Sequence, residues 1–141
     1  MADKKLILKC KEASRRIRRR IIDMTYSTGK TGAHVGGSLS IVELLAGLYA
    51  GNIKYHAGEP DWEGRDRVIL SKGHAAMALY SAMAEAGIID EKEINSFKQD
   101  GSRLGGHPSL NGLPGIEYAS GSLGQGLSLG VGTCLALKRK N

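Results

Sequence analysis

A chain of 141 residues is the size of one ordinary domain and is long enough to bury a core. Its charge of +6, from 20 Lys and Arg against 14 Asp and Glu, is concentrated in residues 1–20, which hold nine basic and two acidic side chains and so raise nucleic acid as a partner. Two widely spaced cysteines, Cys10 and Cys134, with no Cys or His nearby at metal-ligand spacing, and an N-terminus without a long apolar core, argue against a structural zinc motif or an export signal and fit a reduced, cytoplasmic protein.

The first predicted helix carries Leu6, Cys10, Ala13, Ile17, Ile21 and Met24 at steps of three and four, an apolar face opposite the basic residues. "RRIRRR" therefore reads as a solvated face rather than a DNA contact. The helix closes near Gly29, where "YSTGKTGAHVGGSLS" begins to resemble a nucleotide-binding loop. Gly29-Lys30-Thr31 copies the end of a P-loop, yet Met24 stands where the first glycine belongs, and the preceding stretch is helical where a P-loop needs a strand. A loop through Gly32, Gly36 and Gly37 follows, and Ser38 or Ser40 caps a second helix to about Tyr49 with Ile41, Leu44, Leu45 and Leu48 on one face.

"DRVILS", Asp66 to Ser71, predicts a short buried strand, and "GHAAMALYSAMAEAG" an alanine-rich helix closed by Gly87. "DEKEINSFK" from Asp90 predicts a short helix with an acidic first turn, and residues 100–121 a loop. A last helix runs from Ser122 into "CLALKRKN". The span Tyr118 to Leu137 is uncharged and long enough to raise a membrane helix, but five glycines and several polar residues within it favour a helix buried against neighbours. "GLSLG" at 126–130 fits the G-x-S-x-G nucleophile elbow, although no Asp, Glu or His follows Gly130. "GSLGQG" at 121–126 opens a helix whose free N–H groups suit an anion. One strand cannot satisfy its own backbone, so the expectation is an α/β chain that supplies only part of a sheet: an N-terminal fragment, or a subunit whose remainder lies elsewhere.

Three of the four histidines sit among glycine or alanine: His34 in "GAHVGG", His74 in "SKGHAAM" and His107 in "GGHPS". Each lies in a loop or just past the predicted strand end, where α/β proteins place ligands. One such histidine is more often structural, but three in one setting point to a ligand site. His56, in "KYHAGEP", reads as a surface residue. A tri-histidine zinc site is the metal alternative, against which nothing in the local spacing demands convergence and no acidic partner is adjacent.

The ordered series "GAHVGGSLSIVELLAGLY", "DRVILSKGHAAMALYSAMAEAG", "GGHPS" and "PGIEYASGSLGQGLSLGVGTCLALKRK" resembles the N-terminal segment of transketolases over nearly the whole chain, and is closest in wording to the split type, in which two polypeptides share the work. The resemblance implies that residues 1–141 are a helix-rich N-terminal portion of a parallel-sheet, thiamin diphosphate-binding domain, with the metal-binding remainder absent. It implies thiamin diphosphate and Mg²⁺ as cofactors, the Mg²⁺ ligands lying outside the chain, so that no metal residue is expected within it. His34 and His107 are implied as catalytic residues facing the sugar. His74 is implied at the cofactor diphosphate, and Gly121, Ser122 and Leu123 along the cofactor rings, with serine where many members of the family have proline. The activity implied is transfer of a two-carbon ketol unit from a ketose phosphate to an aldose phosphate, within the pentose phosphate pathway. The implied partners are sugar phosphates and a C-terminal transketolase subunit or domain, in a dimer or heterotetramer, with neither nucleic acid nor membrane. Two alternatives stand beside it: a truncated, non-catalytic fragment, and the N-terminal part of another thiamin diphosphate enzyme such as deoxyxylulose phosphate synthase.

Overall fold

Asp3 accepts a hydrogen bond from the Lys5 amide (2.9 Å) and so opens the first helix, α1 (Lys4–Ser27), in a computed structural model that describes residues 3–140. Ala13, Ile17, Ile21 and Met24 of the expected face are buried, while Cys10 is partly buried. The basic run on the opposite side is used within the fold: Arg16 and Arg20 pair with Glu85, Arg20 also with Glu91, Arg18 with Glu43 and Arg19 with Asp23. These carboxylates are what the excess of arginine answers.

After a 3-10 turn at Gly29–Thr31, two helices follow, α2 (Val35–Leu39) and α3 (Val42–Tyr49). The apolar face expected from Ile41, Leu44, Leu45 and Leu48 is rotated: the buried residues are Val42, Leu45, Ala46 and Tyr49, and Leu44 is 65% exposed. This stretch is apolar on nearly all sides, so periodicity alone did not distinguish two faces rotated by about one residue. No serine side chain caps α3, whose N-cap is Ile41.

A second 3-10 turn, Gly73–Ala75, leads into α4 (Ala76–Glu85), whose residues from Ala76 to Met83 are all buried. That makes α4 the centre of the core, packed on α1 and α3. Gly87 adopts φ +71 just beyond its end, the left-handed closure glycine permits. Asp90 caps α5 (Glu91–Ile94) by accepting from the Lys92 amide at 2.8 Å. Residues 100–121 are irregular, and α6 (Gln125–Lys140) ends the described chain.

Two further expectations are corrected. No strand occurs among the described residues: 66–70 is irregular, joined to 54 by an Asp66 amide to Lys54 carbonyl bond of 2.8 Å. A β assignment requires a ladder, and one backbone bond is none. The α/β class therefore holds here only as its helical portion, and the parallel sheet is not seen. Nor is α6 buried. Gly126 alone of its residues is enclosed, against Ser71, while Leu127 is 77% exposed. A helix covered along one glycine-lined edge keeps its larger side chains in solvent. No described helix is long and apolar enough to cross a membrane.

Candidate functional site

Three separate connections deliver the three histidines to one place. His34 is the residue that opens α2, His74 sits in the 3-10 turn before α4, and His107 lies in the loop after α5. Their ring centroids are 4.6 Å (34–74), 5.2 Å (34–107) and 4.8 Å (74–107) apart. His34 is exposed and the other two half-buried. His56 stays apart, its ring 4.7 Å from Trp62.

Small residues allow this approach. A Cβ on Gly37 would stand 3.3 Å from the His74 carbonyl oxygen, so α2 lies directly on the His74 turn, where the buried Ser38 hydroxyl also points at that oxygen (3.5 Å). A Cβ on Gly73 would meet the Ser120 carbonyl oxygen at 2.7 Å and its Oγ at 2.9 Å. Only glycine fits there. The Ser120 amide in turn donates to the Pro108 carbonyl at 3.0 Å, tying the His107 loop to the same seam. Gly121, Ser122 and Leu123 continue from Ser120 and are exposed, with Leu123 at 69%. The predicted residues thus adjoin one another through Gly73 and Ser120.

The histidines differ in setting. Burial, reinforced by the neighbouring His74 and His34 charges, holds the His107 imidazole below its ordinary pKa of 6.5. His107 is therefore neutral at pH 7 and able to accept a proton. His74 Nδ1 and Ser120 Oγ are buried without a hydrogen-bond partner. Unpartnered buried polar atoms beside a glycine-lined seam fit a polar cofactor that would satisfy them. Thiamin diphosphate meets that test through its diphosphate and ring nitrogens. Mg²⁺ does not fit the histidine cluster, the one group of three or more His, Cys, Asp or Glu positioned for a metal among the described residues, because that ion takes oxygen ligands.

Lys98, which the sequence reading did not single out, lines a cleft of about 170 Å³ with Thr31, His34, His74, Met77 and Phe97. It has φ 56, and its Nζ donates to the Gly32 carbonyl at 2.9 Å, bracing the loop that carries His34. A left-handed lysine leaves no signal in a single sequence. Ser71 was also passed over. Its Oγ accepts from the Gly126 amide at 3.2 Å, at the opening of α6.

Residues 11–141 match the family described as transketolase, thiamine diphosphate binding domain. A transketolase family protein of Sinorhizobium fredii is 44% identical over 129 residues, covering 92% of this chain and 46% of the relative. A 6-deoxy-6-sulfo-D-fructose transketolase subunit of a Clostridium species is 44% identical over 111 residues, 78% of this chain and 40% of its own. The solved transketolase of Leishmania mexicana superposes with a TM-score of 0.78 at 33% identity, over 87% of this chain and 18% of that one. The chain spans less than half the length of these relatives.

Proposed function

We infer that this chain, which belongs to the transketolase family through its thiamine diphosphate-binding domain, supplies part of the catalytic centre of an enzyme that moves a two-carbon ketol unit from a ketose phosphate to an aldose phosphate. The observation that carries the reading is the convergence of His34, His74 and His107 from three connections, with centroids 4.6–5.2 Å apart. Isolated structural histidines have no reason to meet.

In this reading His74 holds the cofactor diphosphate, and its unpartnered Nδ1 accounts for one bond of that contact. Gly121 and Ser122 offer backbone to the cofactor rings, and the exposed Leu123 an apolar wall that the cofactor would cover. When bound, thiamin diphosphate supplies the electron sink that breaking a carbon–carbon bond next to a carbonyl requires. His107 and His34 hold the sugar hydroxyls. His107, neutral near pH 7, takes a proton from a hydroxyl oxygen and returns it, which is general acid–base work suited to imidazole. Lys98 keeps the His34 loop in place through Gly32. Mg²⁺ ligands lie outside residues 1–141, and a C-terminal transketolase subunit or domain completes the site. The sugars, the dimeric or heterotetrameric assembly and the cytoplasmic setting belong to the same proposal.

The test combines the chain, joined to the metal-binding remainder that the family resemblance implies, with a C-terminal transketolase polypeptide, thiamin diphosphate, Mg²⁺, xylulose 5-phosphate and ribose 5-phosphate. Ketol transfer is expected from that assembly and not from residues 1–141 alone. In the assembled protein His107→Ala is expected to lower kcat by about 10²- to 10⁴-fold, the usual worth of a positioned acid–base group. Transfer by His107→Ala at the unsubstituted rate would overturn its role. For His74→Ala the expected effect is a weaker apparent affinity for thiamin diphosphate, and an unchanged titration would count against the assignment.

A further inference from the structure

We propose that His34, His74 and His107 also form a binding site for one divalent transition-metal ion, with Zn²⁺ the best fit. The proposal goes beyond the ketol-transfer reading and stands on the geometry alone. One ligand nitrogen from each ring can be chosen so that all three lie within 4.8 Å of one another. A triangle with sides of that length has its centre about 2.8 Å from each corner, against about 2.0–2.1 Å for a Zn–N bond. In a tetrahedral site the three nitrogens stand about 3.3 Å apart, so each has to move inward by up to about 0.8 Å, a displacement within reach of small side-chain torsions.

The donor chemistry selects the metal. Three imidazole ligands with no carboxylate among them suit Zn²⁺, Cu²⁺ or Ni²⁺ and disfavour Mg²⁺ or Ca²⁺, which need oxygen. Three histidines plus one open position is the pattern of a zinc site that still admits water or another ligand, and His34 leaves such an opening because it is exposed. His74 Nδ1, buried and without a partner, is a nitrogen that coordination to the ion would satisfy.

The experiment titrates the full 141-residue chain with Co²⁺, whose visible absorption distinguishes tetrahedral nitrogen coordination from the hydrated ion, and then displaces it with Zn²⁺. One equivalent of Co²⁺ with a tetrahedral spectrum is expected, displaced by Zn²⁺ and untouched by excess Mg²⁺. His34→Ala, at an exposed position where folding is least at risk, and His107→Ala are each expected to weaken binding at least about 10-fold, since even losing a residue that only orients a ligand costs about 10- to 100-fold. Helical circular dichroism confirms that each variant is folded, and His34→Gln serves as a second variant. His56→Ala, away from the cluster, should bind as the parent does. No saturable spectrum, binding indifferent to His34 and His107, or binding lost in His56→Ala would each overturn the proposal. Because no assay of transfer is involved, its failure leaves the ketol-transfer reading standing, and the reverse.

Discussion

Gly73 shows what a single hydrogen atom in place of a methyl group does for this site. An alanine there would press its Cβ onto the Ser120 backbone at 2.7–2.8 Å, a clash with main chain that no side-chain rotation relieves. Gly73→Ala is expected to cost about 1–3 kcal/mol by overpacking and to part His74 from the 118–121 segment. Thermal unfolding would read the first effect and cofactor affinity of the assembled protein the second; an unchanged melting temperature would refute the packing argument. His107 supplies a pH dependence. Its folded pKa is lowered by burial first and by His74 and His34 second, so the folded state holds fewer protons than the unfolded one just below pH 6.5. Its contribution to stability is present above that value and lost as pH falls through the folded pKa. His34→Ala removes one repelling charge and is expected to shift the His107 titration upward, as proton NMR would show; a downward shift would contradict it. The glycine and alanine surroundings of His34, His74 and His107 were legible in the sequence. Local spacing did not show their meeting, which only the resemblance implied, because it depends on seams such as Gly37 on His74 and Gly73 on Ser120, which join residues 37 and 47 positions apart.

At the scale of helices, the tie between α1 and α4 rests on Glu85 as much as on apolar packing. Burial, with the side chain 7% exposed, would raise the Glu85 pKa; hydrogen bonds from Arg16 and Arg20 outweigh it and hold the carboxyl below its ordinary 4.5. The folded state therefore binds fewer protons. The stabilisation is present above about pH 4.5 and is lost as pH falls through the lowered folded value. Glu85→Gln leaves Arg20, itself 14% exposed, without its nearer partner. The expected cost is about 2 kcal/mol at pH 7, between the values for exposed and buried pairs, and it shrinks as pH falls through the lowered folded value. A loss that stays constant from pH 7 to pH 3 would rule out the ionic account. Helix positions were well marked where polar and apolar residues alternate in blocks, as in α1, or where caps are explicit, as at Asp90 and Gly87. They were poorly marked in α3, apolar on nearly every side. Residues 66–71 have the composition of a strand, but β structure is a property of pairs, and the described chain gives them no ladder.

The whole molecule has two unlike halves of surface. Around α1 the charges are answered by Glu43, Glu85 and Glu91, so the net +6 does not amount to an open basic face on the arginine run. Along α6 the opposite holds. Leu127, Val131 and Leu135 recur every four residues and are 77%, 53% and 58% exposed, forming one apolar stripe beside Ile69. Contiguous exposed apolar surface of this kind associates with whatever apolar surface it meets, and in a solution of this chain alone that is another copy. The purified 141-residue protein is expected to show a sedimentation coefficient that rises with concentration. The double variant Leu127→Glu, Leu135→Glu places charges in the stripe at positions that contribute nothing to the buried core, so it should sediment as a monomer with a melting temperature close to the parent's, exposed substitutions usually costing within about 0.5 kcal/mol. Sedimentation independent of concentration in the parent would refute the expectation, as would association that persists in the double variant. If a C-terminal polypeptide covers the stripe, adding it should abolish self-association of the parent while leaving the double variant's behaviour unchanged, because the charges that block one apolar contact block the other.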